Sequence, residues 1–319
     1  MSAYVARRVA WGAVVLLVVT AVSFLLTFVA PGDPARAIAG MNARATDVAR
    51  IRVALGLDRP PLDQLAAYYG RLLSGDLGHS FKLNVGVLDL ILSRLPATIE
   101  LAVAGLAFAL LLGVPLGVAA ARHPGGRADR LASIVSSVFI SVPGFLLGLV
   151  MIYLFAFLPT QMWGVRLFTI GTTDYDPLNL HQLLLPALTL GLIASPFYVR
   201  VTRTSLLDEL HHDYVRTARA KGLPERSVAW RHAFRNALVP IVSQAGLDLG
   251  FFLGGVVVIE AIFGWPGIGR QAVMAITGED LPLLMGTVIF ATLCVVVANI
   301  AVDVGQTFID PRLSLGTRR

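Results

Sequence analysis

The sequence predicts an all-α integral membrane protein with six transmembrane helices, and three observations lead there. Of its 319 residues, 56% are hydrophobic and 14% charged, whereas a soluble domain carries about a quarter charged residues. Six apolar runs approach or exceed the roughly 20 residues with which a helix crosses about 30 Å of hydrocarbon. The basic residues concentrate between alternate runs, as the positive-inside rule requires of a polytopic protein.

The first run, 9–30, is longer than the roughly 7–15 residues of a signal-peptide core. It ends in Ala30-Pro31-Gly32-Asp33, a poor cleavage site because proline follows directly. We read 1–30 as a short cytoplasmic N-terminus and a retained first span. Residues 31–96 read as a small external subdomain of short helices, the alternative being a plain spacer. Thr46 is a suitable N-cap and Gly56 a suitable stop for a helix over 47–55, and a second helix runs from Pro61 to near Gly75. The remaining spans are expected at 99–121, 131–158, 183–202, 237–262 and 283–307, the fourth interrupted by Pro186 and Pro196. Residues 97–308 thus form the membrane core, with a cytoplasmic loop over 203–236, and 309–319 form a cytoplasmic tail.

Orientation follows from arginine and lysine. The inner segments hold Arg7 and Arg8, then Arg122, Arg127 and Arg130, then the cluster from Arg200 to Arg235, then Arg312, Arg318 and Arg319. The two short outer loops hold Arg166 and Arg270. Both termini are therefore expected in the cytoplasm.

Within the spans, small residues recur four apart: Gly113 and Gly117, Gly144 and Gly148, and Gly246, Gly250 and Gly254. Such spacing lets helix backbones approach closely in a bilayer. It does not say whether the neighbour lies in this chain or another. Three carboxylates, Asp248, Glu260 and Asp303, fall in or near spans. Gln244 and Asp248 share a helix face, as do Asn299 and Asp303. Burial in lipid costs an ionisable group several kcal/mol on the usual scales, about 2.5–3.5 for Asp at a helix centre. Gln244, Asp248, Asn299 and Asp303 are therefore candidates for lining a polar translocation path, with interhelical hydrogen bonding as the plainer reading.

Chemistry of its own is not expected. The two lysines, Lys82 and Lys221, lie outside any G-x-x-x-x-G-K-[ST] context, so no P-loop cradles a nucleotide. The histidines offer no i, i+4 metal pair, and no G-x-S-x-G elbow occurs. The single cysteine, Cys294, sits in an apolar run, which excludes a disulfide framework. The formal charge of +6 reflects inner-loop arginines rather than a nucleic-acid surface.

Residues 213–240, DYVRTARAKGLPERSVAWRHAFRNALVP, stand out between two apolar runs. The segment divides at Gly222, a natural helix stop, after which Pro224 suits the first turn of a second helix. Trp230, Phe234 and Leu238 form an apolar ridge at i, i+4 spacing. Contact with anionic headgroups explains the charge but not a defined helix–glycine–helix, which suits insertion into a soluble partner.

This stretch resembles the cytoplasmic coupling loop of binding-protein-dependent ABC importer permeases, in the form used by the dipeptide/oligopeptide/nickel group and most like its B-type dipeptide permease chains. RRVAWGAVVLLVVTAVSFLLTFVAPGDP, LGLDRPP, GDLGHSF, LPATIELA and VIEAIFGWPGIGRQAVMAITGEDLPLLMG resemble the same group in order along the chain. One departure is that Arg216-Thr217-Ala218 precede Gly222 where the general permease pattern opens Glu-Ala-Ala, and Pro240 follows later. The resemblance implies a type I ABC importer permease architecture in the cytoplasmic (inner) membrane. It implies a second homologous permease chain, two cytoplasmic P-loop ATPases that bind ATP and Mg, and an external substrate-binding protein facing 31–96 and 263–282. No cofactor is implied on this chain. Tyr214, Ala218, Arg219, Gly222 and Leu223 would dock an ATPase, and di- or oligopeptides would be the substrates, with nickel chelates, glutathione and haem served by similar chains. The competing reading is a proton-coupled secondary transporter carrying protons on Asp248 or Asp303; a membrane enzyme and a non-transporting anchor are further alternatives.

Overall fold

The computed structural model describes residues 2–29, 34–39, 43–54, 56–171, 175–254 and 256–309. The Pro31–Asp33 exit from the first span and the 310–319 tail lie outside them. Among the described residues the secondary structure is helical, apart from an isolated antiparallel bridge between His79 and Gly86. Helix α1 (Ser2–Val29) is followed by three short helices, α2 (Pro34–Ala39), α3 (Ala45–Ala54) and α4 (Pro61–Leu73). Then come α5 (Val87–Arg122), α6 (Arg127–Ser141), α7 (Gly144–Ile152), a π-helical segment over Tyr153–Phe157, and α8 (Leu158–Trp163). Helices α9 (Leu180–Leu210), α10 (Asp213–Ala220) and α11 (Glu225–Ser227) lead through a second π-helical segment, Val228–Ala233, into α12 (Phe234–Leu253). The chain finishes with α13 (Val257–Phe263), α14 (Ile268–Thr277) and α15 (Leu281–Ile309).

Among the described residues, six helical stretches are long and apolar enough to cross a membrane: Val5–Leu26, Val87–Arg122, Gly144–Trp163, Leu180–Leu210, Val228–Leu253 and Leu281–Gly305. Their boundaries depart from the sequence expectation where backbone chemistry overrides hydropathy. The expected span 131–158 is broken, because Val142 precedes Pro143 and is held extended at ψ 123°. α6 therefore stops at Ser141 and the membrane-length stretch begins at Gly144. The expected span 237–262 likewise ends at Leu253, where Gly254 caps α12, glycine being a weak helix former. Glu260 consequently belongs to the separate helix α13.

Prolines have the opposite outcome in α9, which runs unbroken through Pro186 and Pro196. Pro196 has no N–H for the Leu192 carbonyl, and the Ser195 hydroxyl donates to that oxygen instead, at 3.2 Å. α5 also passes through Pro96 and begins twelve residues before the expected position of 99. Thr46 lies inside the first turn of α3 rather than capping it, while Gly56, at φ +67°, ends the turn that follows.

The centre of the protein is the α5–α9 pair. A Cβ on Gly113 would lie 2.8 Å from the Ser195 carbonyl oxygen, and one on Gly117 would lie 2.7 Å from that of Val199. The two backbones touch, as small-residue packing permits in lipid. The glycines of α12 meet α15 of the same chain. A Cβ on Gly250 would lie 2.5 Å from Ala298 Cβ, one on Gly254 would lie 2.9 Å from Val295, and Gly246 abuts Val302. Gly144 faces Ile193 of α9, and Gly148 faces Phe263 and Ile262 of α13. Among the short helices, α4 rests on the spans: Tyr68 is buried with Phe24, Met285 and Ile289, and the Tyr69 hydroxyl donates to the Leu17 carbonyl at 2.6 Å.

Candidate functional site

The helix–glycine–helix stands at the end of α9 as a defined unit. Val215 and Ala218, three residues apart, share the inward face of α10. They pack on Val118 and Ala121 of α5, Leu206 of α9, and Val228, Ala233 and Ala237. Ala218, expected at the docking surface, is thus 6% exposed and seats the helix. The outward face carries Tyr214, Arg216, Thr217 and Arg219, and Leu223 follows exposed beyond the end of the helix.

α10 ends in a complete Schellman arrangement. The Gly222 N–H donates to the Arg219 carbonyl at 2.9 Å and the Leu223 N–H to the Ala218 carbonyl at 3.4 Å. Gly222 takes φ +76°, the left-handed conformation that favours glycine. Arg219 reaches across the turn to Glu225 through two bonds, at 2.9 and 3.3 Å. Tyr214 donates to Glu209 at 2.6 Å and accepts from the Asn236 amide at 3.1 Å. Partial burial, with Glu209 beside it, pushes the Tyr214 phenol up to about 12. Two residues of the expected apolar ridge meet, Trp230 edge-on to Phe234 at 5.1 Å between centroids, although the turn beneath them is a π-helix.

A neighbouring clamp was not anticipated from sequence. Arg203 of α9 donates to Asp129 of α6 through Nε at 2.6 Å and a terminal nitrogen at 2.9 Å. The Gly125 N–H adds a third bond at 2.8 Å. Arg203, aided by that N–H, holds the Asp129 carboxyl down at about 2. The helix leading into α10 is thereby fastened to α6.

Of the polar groups expected on a path, Gln244 and Asp248 come together. The Gln244 amide donates to Asp248 Oδ1 at 2.8 Å, and the Tyr198 hydroxyl of α9 donates to Oδ2 at 2.5 Å. Asp303 is placed differently. Arg8 of α1 reaches it through Nε at 2.9 Å and a terminal nitrogen at 3.2 Å. Asn299 lies half-buried one turn before it.

At the end of the molecule opposite α10, a buried carboxylate organises α13 and α14. Glu260 is fully buried. It accepts from the Thr98 hydroxyl at 2.9 Å, from the Arg270 N–H at 2.9 Å and from the Gly269 N–H. Burial pushes its carboxyl up, and those donors work against the rise. Trp265 Nε1 donates to the Ala97 carbonyl at 2.8 Å, and the Arg270 guanidinium donates to the Gly264 carbonyl at 2.6 Å.

Two more locks join this end. Glu100, a carboxylate passed over in sequence although it sits in the second span, accepts from the Tyr175 hydroxyl at 2.7 Å and the Leu178 N–H at 2.8 Å. Asp280 takes the Ser80 hydroxyl and the Phe81 and Lys82 N–H groups, which ties the turn at 79–86 to the start of α15.

Six membrane-length helical stretches among the described residues, a capped short helix at one end and an interlocked assembly of loops and short helices at the other define a multi-pass helical membrane component. Residues 113–315 match the family described as binding-protein-dependent transport system inner membrane component, and residues 1–102 match its N-terminal part. The chain belongs to this family of ABC transporter permeases. A Brucella abortus (strain 2308) protein bearing the name of a peptide transport system permease is 40% identical over 314 residues, covering 98% of this chain and 99% of that one. The glutathione transport system permease protein GsiC of Salmonella typhimurium (strain LT2) is 37% identical over 313 residues, with the same coverage. Among solved structures, a chain of the inward-facing MetNI methionine ABC transporter superposes with a TM-score of 0.56 at 18% identity, covering 70% of this chain and 97% of that one. The fold is the type I ABC importer permease architecture, in agreement with the resemblance read from the sequence.

Proposed function

We propose that this chain is the membrane-spanning half of an ATP-driven importer for di- or oligopeptides, coupled to separate ATPases through residues 213–236. The observation that carries the proposal is α10. Two inward side chains and a complete C-terminal cap hold it in place, and its outer face presents Tyr214, Arg219 and Leu223 exposed. A cleft on a soluble subunit could take such a helix. Arg203–Asp129, just before it, would pass its motion to α6 and α9.

In this reading both termini and α10 are cytoplasmic, and residues 31–96 with 263–282 face an external binding protein. ATP and Mg are held by two P-loop partners, and a second homologous permease completes the path. Hydrolysis moves the α10 helices, and the path alternates between outward and inward access. The Glu260 and Glu100 locks would close the outer end. Peptide cargo is inferred from the names of the relatives, glutathione being itself a tripeptide. The proton-carrier alternative is less supported at Asp303, because Arg8 already occupies that carboxylate at 2.9 and 3.2 Å.

The test is site-specific cross-linking in native membranes. Leu223→Cys should cross-link to a P-loop ATPase, and Leu167→Cys, in the loop after α8, should not. Equal capture from both positions, or none from Leu223→Cys in a complex active in uptake, would refute the docking role.

A further inference from the structure

The geometry points to Asp248 as a subsite for the cationic amine of the transported substrate, an inference that rests on the permease reading above. Asp129 and Asp303 each face an arginine. Glu100 accepts from the Leu178 N–H and Glu260 from the Arg270 N–H at the start of α14. Asp248 differs from all four. It meets one tyrosine hydroxyl and one amide of its own helix, and no cation pairs with it among the described residues.

A carboxylate has about four lone-pair positions, so two donors leave it half satisfied. Both donors are neutral: they orient the carboxylate and bring no compensating positive charge. A negative charge held this way within a span attracts a cation, and charge-assisted hydrogen bonds are roughly twice as strong as neutral ones.

Position supports the same conclusion. Gly246 and Gly250 turn toward α15. Asp248 lies two residues from each and therefore about 200° around the helix. It stays half-buried, beside Leu247 at 39% and Phe251 at 68% exposure. Tyr198 of α9 covers one side of the carboxylate, and the adjoining Leu247 and Phe251 side chains are exposed in the single chain. An ionisable residue on such a face belongs on a wet cavity or another protein rather than on lipid. Asp248 stands five residues before the end of α12 at Leu253, about 7–8 Å along the axis at about 1.5 Å per residue. That end leads directly into α13 and the Glu260 lock, so a substrate released there would meet Asp248 early. Tyr198 and Gln244 act as positioning residues that aim the carboxylate. The ligand chemistry is a primary ammonium, supplied by a peptide amino terminus or a lysine side chain.

The experiment uses the complete transporter in proteoliposomes, with its binding protein and internal ATP. It compares wild type with Asp248→Asn, Asp248→Glu and Tyr198→Phe. The probes are Ala-Ala-Ala, N-acetyl-Ala-Ala-Ala and N-acetyl-Ala-Lys-Ala. The same binding protein delivers each probe to every variant, so its own preferences cancel in the wild-type-to-variant ratio.

Asp248→Asn should lose at least about tenfold in Ala-Ala-Ala uptake, while ATPase stimulation by the loaded binding protein is retained. Asp248→Glu should recover much of the loss, and Tyr198→Phe should fall by no more than a few-fold. N-acetyl-Ala-Ala-Ala should be carried equally by wild type and Asp248→Asn. Loss on N-acetyl-Ala-Lys-Ala alone would assign the subsite to the side-chain ammonium instead of the terminus.

Normal Ala-Ala-Ala and N-acetyl-Ala-Lys-Ala uptake by Asp248→Asn would overturn the inference. So would an equal loss on all three probes, which marks a structural role or a cation supplied by the second permease. If the acetylated peptides are not carried at all, Asp248→Glu decides: failure to recover Ala-Ala-Ala uptake overturns the inference. ATP-independent uptake by wild type would instead overturn the permease reading itself, a distinguishable result.

Discussion

Replacing Gly222 with valine should uncouple this protein without removing it from the membrane. A Cβ at Gly222 would meet nothing within 4 Å, so the effect is conformational rather than a clash inside the chain. The residue sits at φ +76°. Holding an ordinary L-residue there costs about 1–2 kcal/mol, and more for a β-branched one. The chain can avoid that strain only by opening the cap. It then gives up the Gly222 and Leu223 N–H bonds, each contributing about 0.5–1.5 kcal/mol net. The strain alone weakens the capped form by at least about 1–2 kcal/mol, a factor of about 5–30 or more in its population, and opening the cap forfeits about 1–3 kcal/mol for the two bonds. Leu223 and the Arg219–Glu225 bridge would lose their fixed geometry with it.

The assay is uptake normalised to membrane abundance, with substrate-stimulated ATPase measured alongside. Gly222→Val should lose most of both at normal abundance, and Gly222→Ala should be intermediate. Gly222→Asn should stay near wild type, because asparagine tolerates the left-handed region. Wild-type uptake by the valine variant would refute the conformational role. Asparagine behaving as badly as valine would also refute it, pointing to steric contact with a partner.

Other parts of the structure can be probed through stability. Gly250→Leu should lower the thermal midpoint of the purified protein, since even a Cβ there falls 2.5 Å from Ala298 Cβ and overpacking costs about 1–3 kcal/mol. Gly70→Ala on α4, which meets nothing within 4 Å, should instead be neutral or stabilising by about 0.5–1 kcal/mol. Glu260→Ala should destabilise strongly, because it leaves the Thr98 hydroxyl and two N–H groups without their acceptor at about 1–3 kcal/mol each; a midpoint within a degree of wild type would contradict the lock. Arg203 holds Asp129 near 2, below the unfolded value of about 3.9. Its stabilising contribution is therefore present above pH 4 and fades as pH falls toward 2. Asp129→Asn should flatten that part of the acid-stability profile measured by thermal melting.

Much of this architecture was legible because its causes are local. Apolar length reported the six spans, and Gly222 announced its turn because few other residues adopt that conformation. Trp230 and Phe234 showed their common ridge through spacing alone. The breaks at Pro143 and Gly254 were harder, because hydropathy averages over a window while a helix ends at a single residue. The exposed appearance of α10 was also misleading for Ala218, whose burial depends on α5 and α9 packing beneath it. Pairings between distant residues left no periodic trace. Arg8 with Asp303, Tyr198 with Asp248 and Arg203 with Asp129 each join helices far apart in sequence. Only an acid or a base stranded in an apolar run hinted at them, and Glu100 carried that hint unnoticed.

The most direct test is purification of this chain from its native membrane in mild detergent, with the co-purifying proteins identified and ATP hydrolysis measured. Recovery of a second permease and P-loop ATPases is predicted, with hydrolysis and peptide uptake stimulated by an external binding protein. Recovery of this chain alone, active in uptake after reconstitution without ATP, would contradict the ABC importer assignment.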